Sequence, residues 1–201
     1  MFYRSSFVLN LTIFFLIVLP SNQILWSRVS DPPTNEGSGL IGKKALGWTV
    51  GDWINSEPLG ISDLKGKVVL VRFWTGPECP YCKASAPALD EFYEKYHIQG
   101  LEVIGIYHHK SAAPLNKTRV QKLVQEYQFK FPIAIDYDWK TLRQWWLDAD
   151  DRRWTSVSFL IDRKGVIRYI HPGGQYIKGD KDYTLIETKI AELLKEDSNF
   201  F

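Results

Sequence analysis

Cysteine is scarce in this chain, with two among 201 residues, and methionine is scarcer still, with one. The two cysteines, Cys79 and Cys82, are separated by only two residues, and closing so short a loop removes little chain entropy. A scaffold held together by disulfides is therefore excluded, and the pair is left for redox chemistry or metal binding. Charge of one sign is also missing. All 23 acidic residues lie from Asp31 onward, Arg4 and Arg28 precede it, and the remaining 23 basic residues balance them, so the formal net charge of +2 belongs to the leader. A neutral body excludes the electrostatic footprint of a nucleic-acid binder. No repeat or low-complexity tract is present, and 201 residues with 45% hydrophobic content suit one well-packed domain, not two.

The N-terminus differs from the rest. Arg4 precedes an apolar run from Phe7 to Leu19, then Pro20-Ser21-Asn22-Gln23. The run matches the core of a signal peptide and is short of the roughly 20 apolar residues of a spanning helix. No small-x-small cleavage site follows Leu19, and Ile24-Leu25-Trp26 extends the run toward an anchor with an interfacial tryptophan. Residues 1–26 are thus expected to be a signal peptide or an N-terminal membrane anchor, 27–39 a linker rich in Pro, Gly and polar residues, and 40–201 the folded domain.

Within the domain, Lys67 to Trp74 is a β-branched run of the kind buried on both faces of a sheet. After Cys82, the residues Ala84, Ala88, Leu89, Phe92 and Tyr96 recur at helical spacing. Leu101–Tyr107 reads as a strand, Thr118–Gln128 as a helix, Phe131–Ile135 as a short strand and Trp139–Leu147 as a short aromatic helix. Val157–Ile161 and Val166–Ile170 form a hairpin across Asp162-Arg163-Lys164-Gly165, and a final amphipathic helix carries Ile186, Ile190, Leu193 and Leu194. The alternation indicates an α/β sandwich.

Cys79-Pro80-Tyr81-Cys82 falls at the end of a buried strand and the start of a helix. There the unpaired amides and positive dipole end favour a thiolate at Cys79, lowering its pKa below the free value of about 8.5. Pro80 suits the first helical turn because its missing N–H would be unpaired there anyway. The spacing lets Cys82 resolve a mixed disulfide formed at Cys79.

Val68-Val69-Leu70-Val71-Arg72-Phe73-Trp74 before the dithiol, Lys83-Ala84-Ser85-Ala86-Pro87-Ala88-Leu89 after it, and the later stretches Leu101–Tyr107, Phe131–Asp136 and Ser158–Gly165 together resemble the thioredoxin-like superfamily. Within it they resemble the exported TlpA/ResA-type thiol-disulfide oxidoreductases, related to the AhpC/TSA redoxins. The resemblance implies a three-layer α/β sandwich whose central mixed sheet of four to five strands is flanked by helices, with Cys79 exposed, Cys82 partly buried, and Pro87 inside the active-site helix. It also implies an exported monomer, on the periplasmic side of the membrane if anchored or in the periplasm or outside if cleaved. Protein thiols or disulfides and a membrane redox donor or acceptor would be its partners, with neither cofactor nor metal.

Two departures surround the dithiol. Ser156 stands where the family carries a cis-proline facing the cysteines, and a cis bond before a non-proline residue costs roughly 2.5 to 4 kcal/mol, so a trans Thr155–Ser156 peptide is expected. Its hydroxyl is free either to meet the thiolate or to face solvent. The loop Trp74-Thr75-Gly76-Pro77-Glu78 is one residue longer than usual and puts Glu78 beside the nucleophile, where a carboxylate opposes the helix dipole. His108 and His109 end a strand at the same sheet edge, and at most one can point toward Cys79. They are open as a proton shuttle, a metal ligand or loop residues. His171 reads as a turn residue, His97 as a helix-end residue, and Trp139, Trp145, Trp146 and Trp154 as core or rim packing in preference to a substrate groove.

Thiol-disulfide exchange through Cys79 and Cys82 is the leading expectation. A copper-handling module with a histidine beside two thiolates is a second. A peroxidase is a third, against which Arg72 and Gly76 occupy the positions of its Pro and Thr.

Overall fold

The computed structural model describes residues 36–149, 152 and 154–196, together with Met1. The expected leader, most of the linker, residues 150, 151 and 153, and residues 197–201 lie outside the described residues. Among those described, no helix is long and apolar enough to cross a membrane.

Six strands form one sheet: β1 Trp53–Ile54, β2 Val68–Trp74, β3 Leu101–His108, β4 Ile133–Asp136, β5 Ser158–Ile161 and β6 Ile167–His171, in the order β1-β4-β3-β2-β5-β6. β2, β3 and β4 run parallel, whereas β1, β5 and β6 are antiparallel to their neighbours. The sheet is mixed, as the family resemblance implies, and it exceeds the four to five strands expected. The addition is β1, whose two residues are too few to leave a period-2 pattern in the sequence.

Every residue of β2 is buried, and its side chains alternate between two cores. Val68, Leu70 and Trp74 join Leu101, Val103 and Tyr107 of β3 under α1 (Pro80–Tyr96), α2 (Lys117–Glu126) and α4 (Lys181–Glu196). Val69, Val71 and Phe73 join Ile104 and Ile106 on the opposite face, covered by α3 (Lys140–Leu142) and the π turn Arg143–Leu147 that continues it. The expected aromatic helix at 139–147 is thus an α turn followed by a π turn, which lets Trp145 and Trp146 both enter this second core.

The second core is also crossed by the segment before β2. Gly42 N–H donates to Ile167 O at 2.8 Å and Ala45 N–H to Gly165 O at 2.9 Å, at the β6 edge of the sheet. Further along, Gly51 N–H donates to Ile135 O at 2.9 Å and Asp52 O accepts from Ile135 N–H at 3.0 Å, at the β4 edge. Between these points Ala45, Trp48 and Val50 pack on the second core. One strap therefore reaches from edge to edge.

Candidate functional site

Chain direction sets the site. β2 and β3 run parallel, so the loop after Trp74 and the residues after His108 emerge at the same end of the sheet. Cys79 is the N-cap of α1, with extended φ and ψ, and its Sγ accepts the Cys82 N–H at 3.2 Å. Pro80 occupies the first helical turn, exposed, as expected from its missing N–H. Cys79 and Cys82 are joined as a disulfide, with Cα atoms 5.4 Å apart. Cys79 is half-buried, whereas Cys82 is 2% exposed. Access therefore differs between the two sulfurs. Pro87 lies within the unbroken α1, on its exposed side.

Around this pair the expected residues take distinct places. Trp74 is buried beneath the loop, edge-on to Tyr107 at 5.0 Å and to Phe129 at 5.1 Å. Tyr81 is half-buried, and its ring meets that of Trp154 edge-on at 5.6 Å. Trp154 is held in turn by the Trp146 indole N–H, which donates to its carbonyl at 2.8 Å. Trp154 thus lies beside the dithiol helix, in contrast to Trp145 and Trp146, which are core residues.

Glu78 carries a partly exposed carboxylate with Arg119 Nη2 at 3.9 Å. Its charge, after burial, helps raise the pKa of the Tyr107 phenol. Sequence reasoning found Glu78 but not Arg119, because their approach depends on how α2 docks.

The two histidines separate. His108 is fully buried in β3, on the face opposite Tyr107, with its ring edge-on to Trp139 at 5.0 Å and neither nitrogen hydrogen-bonded. Burial pushes its pKa down to about 3. The loop reading is overturned for this residue, and its position on the second core turns it away from Cys79, which packs on the first. His109 is half-buried, with Nε2 2.6 Å from Ala113 O and Nδ1 2.9 Å from Tyr107 Oη. A carbonyl only accepts, so the neutral ring carries its proton on Nε2 and Tyr107 donates to Nδ1. His109 is therefore the histidine linked, through Tyr107 and Trp74, to the dithiol loop.

Ser156 is 3% exposed and its hydroxyl accepts the Gly174 N–H at 3.3 Å, which removes the reading of a surface serine. No cis peptide occurs among the described residues, so Thr155–Ser156 is trans as expected. His171 is the buried last residue of β6, edge-on to Tyr176 at 5.2 Å, and not a turn residue. The loop after β6 packs against Trp154, which leaves Gly173 no room for a Cβ. Among the described residues no group of three or more His, Cys, Asp or Glu side chains is arranged to hold a metal ion.

A residue to which sequence reasoning assigned no role in the site is Arg72. It sits in mid-β2, fully buried, donating to Ser158 Oγ at 3.2 Å and Gly174 O at 2.9 Å, with its guanidinium 5.0 Å from the centre of the Tyr176 ring. A charged residue inside a β-branched run was the available signal.

Residues 41–170 match the AhpC/TSA family. The chain belongs to that family. Its relatives place it on the ResA-type, thioredoxin-like branch. It is 30% identical over 133 residues to the thiol-disulfide oxidoreductase ResA of Halalkalibacterium halodurans, covering 66% of this chain and 69% of that one. It is 31% identical over 147 residues to protein DipZ of Mycobacterium bovis, covering 72% of this chain but 19% of DipZ, so it spans about a fifth of that relative's length. Among solved structures, a thiol-disulfide isomerase from Corynebacterium glutamicum superposes with a TM-score of 0.58 at 26% identity, covering 73% of this chain and 93% of that one.

Proposed function

We propose that this chain is a thiol-disulfide oxidoreductase in which Cys79 is the nucleophile and Cys82 the resolving thiol. The observation that carries the reading is the placement of a half-exposed Cys79 at the N-cap of a 17-residue helix, with the buried Cys82 one turn behind it. The amides and dipole of the helix end favour a thiolate on Cys79, the sulfur that a partner can reach.

In the reducing direction the Cys79 thiolate attacks one sulfur of a substrate disulfide. A bond forms between Cys79 and that sulfur, the substrate's S–S bond breaks, and the departing substrate thiolate takes a proton. Cys82 then gives up its proton and attacks Cys79 Sγ, closing the internal disulfide and releasing the second substrate thiol. The substrate gains two electrons and the dithiol loses them. The reverse sequence oxidises a substrate. Tyr81 and Trp154 form the apolar side of the approach to Cys79 in this reading, and the trans Thr155–Ser156 peptide presents a different backbone from the one a cis-proline would offer.

We infer further that the chain acts on exported proteins, with residues 1–26 directing or anchoring it and a membrane redox partner recharging the dithiol. A fusion of a periplasmic reporter to residue 40 tests the export half: reporter activity outside the cytoplasm is expected, and its confinement to the cytoplasm contradicts it.

The catalytic half is tested with insulin as a disulfide substrate. Cys79→Ser is expected to abolish reduction, and Cys82→Ser to accumulate a mixed disulfide through Cys79. A reduced wild type without exchange activity sinks the proposal.

A further inference from the structure

A buried charge is retained in a fold only where its surroundings compensate for lost hydration. Arg72 is 0% exposed, and among the described residues no carboxylate pairs with it. Its hydrogen-bond acceptors, Ser158 Oγ and Gly174 O, are neutral, and its Nε has no partner. The titratable groups on its own face are His171 of β6, 3.6 Å from Asp182, and Tyr176 of the following loop, while His108 of β3 lies across the sheet. Burial holds both histidines neutral, with pKa values pushed down to about 3, and raises that of the Tyr176 phenol. None of them supplies the missing negative charge near neutral pH.

Arg72 lies on the face of β2 that carries Leu70 and Trp74, in the core that also holds Cys82. Two chains of contacts lead from it to the elements that frame the dithiol. Gly174, which accepts from Arg72, donates its N–H to Ser156 Oγ. Tyr176, beneath the guanidinium, donates its backbone N–H at 3.1 Å to Ser85 Oγ, which in turn donates to Tyr81 O at 2.9 Å. Ser85 is one helical turn from Cys82. The group in this core that acquires negative charge on reduction is the Cys79–Cys82 pair.

We propose that Arg72 is a positioning residue of the dithiol: a buried cation that favours the thiolate of the reduced pair and, through Gly174 and Tyr176, fixes Ser156 and the first turn of α1. This rests on the thiol-disulfide reading of the site. A cation that favours the reduced form makes the couple more oxidising, because a stabilised dithiol gives up its electrons less readily.

The test is equilibration of the full chain with glutathione, in which two glutathione thiols become one glutathione disulfide as the Cys79–Cys82 bond opens to two thiols. Arg72→Met is expected to shift the equilibrium about tenfold toward the protein disulfide, about 30 mV for a two-electron couple, while Arg72→Lys stays within about threefold of wild type. Arg72→Met is also expected to raise the Cys79 pKa, read by thiolate absorbance. A folded Arg72→Met with wild-type potential and wild-type Cys79 titration overturns the proposal.

Should Arg72→Met not fold, Arg72→Gln decides, because it keeps hydrogen-bond donors for Ser158 and Gly174 without the charge: it is expected to shift the glutathione equilibrium and the Cys79 titration in the same direction as Arg72→Met, and wild-type values for both overturn the proposal. The glutathione equilibrium needs no protein substrate. Failure of wild type to reduce insulin is therefore read separately, as failure of the underlying activity.

Discussion

At the scale of single residues, His108 shows how a side chain with chemical potential can be removed from chemistry by its face of a strand. Alternation along β3 required that at most one of His108 and His109 meet the dithiol side. Which one does so is decided by register against β2 and β4, which is not written in the local sequence. Neutral, buried and unpartnered, His108 takes a proton readily only when the chain unfolds. Between about pH 6.5 and the folded value of about 3 the unfolded state binds the extra proton, so stability falls with falling pH in that window. His108→Phe is expected to flatten the acid side of a denaturant-midpoint profile while leaving thiol-disulfide exchange intact. An unchanged acid slope contradicts the assignment. Glu78 was legible as a carboxylate next to the nucleophile, but Arg119 beside it was not, since the pair joins two elements distant in sequence. Arg72 was legible as a charge in an apolar strand, and what the sequence could not supply was its set of neutral acceptors.

Elements were legible in proportion to their length and period. β2, α1 and α4 each carry enough residues for alternation or helical spacing to be read, and the first two hold the dithiol. β1 has two residues and is defined only by its pairing with β4. The π turn at 143–147 is equally hidden, because one extra residue per turn leaves no mark in apolar spacing. Between β2 and β3 the fit is set by Gly105, which lies opposite Arg72 in register. A Cβ there would collide with Ile133 and stand 3.1 Å from the Trp74 indole nitrogen. Gly105→Ala is expected to cost about 1 to 3 kcal/mol by overpacking and to displace Trp74, seen as a lowered denaturation midpoint with altered tryptophan fluorescence. Wild-type values for both would mean that Ile133 yields without strain.

For the whole molecule, the strap across the second core decides where the domain begins. Its backbone covers the start of β6 at Gly165–Ile167 and pairs with β4 at Ile135, at the two sides of a sheet whose edges are otherwise rows of N–H and C=O groups that invite pairing with other chains. A variant lacking residues 1–35 is expected to stay folded and monodisperse, whereas one lacking residues 1–54 is expected to aggregate, as read by size-exclusion chromatography. Unchanged elution of the shorter variant would show that the edges need no cover. Composition had suggested a linker as far as residue 39, yet Gly37 is already buried against Trp146 and Ile170.

The strap also imposes an order of events on a chain that is made, or threaded through a pore, from its N-terminus. Trp48, Val50 and Trp53 emerge early, while the backbone that receives their segment emerges some 80 residues later at Ile135 and more than 100 residues later at Gly165–Ile167. Contacts so distant in sequence form slowly, and the apolar side chains awaiting them are exposed in the meantime. The first part of the domain to appear is therefore secured only when much later backbone arrives, and until then its tryptophans stay open to non-native contacts.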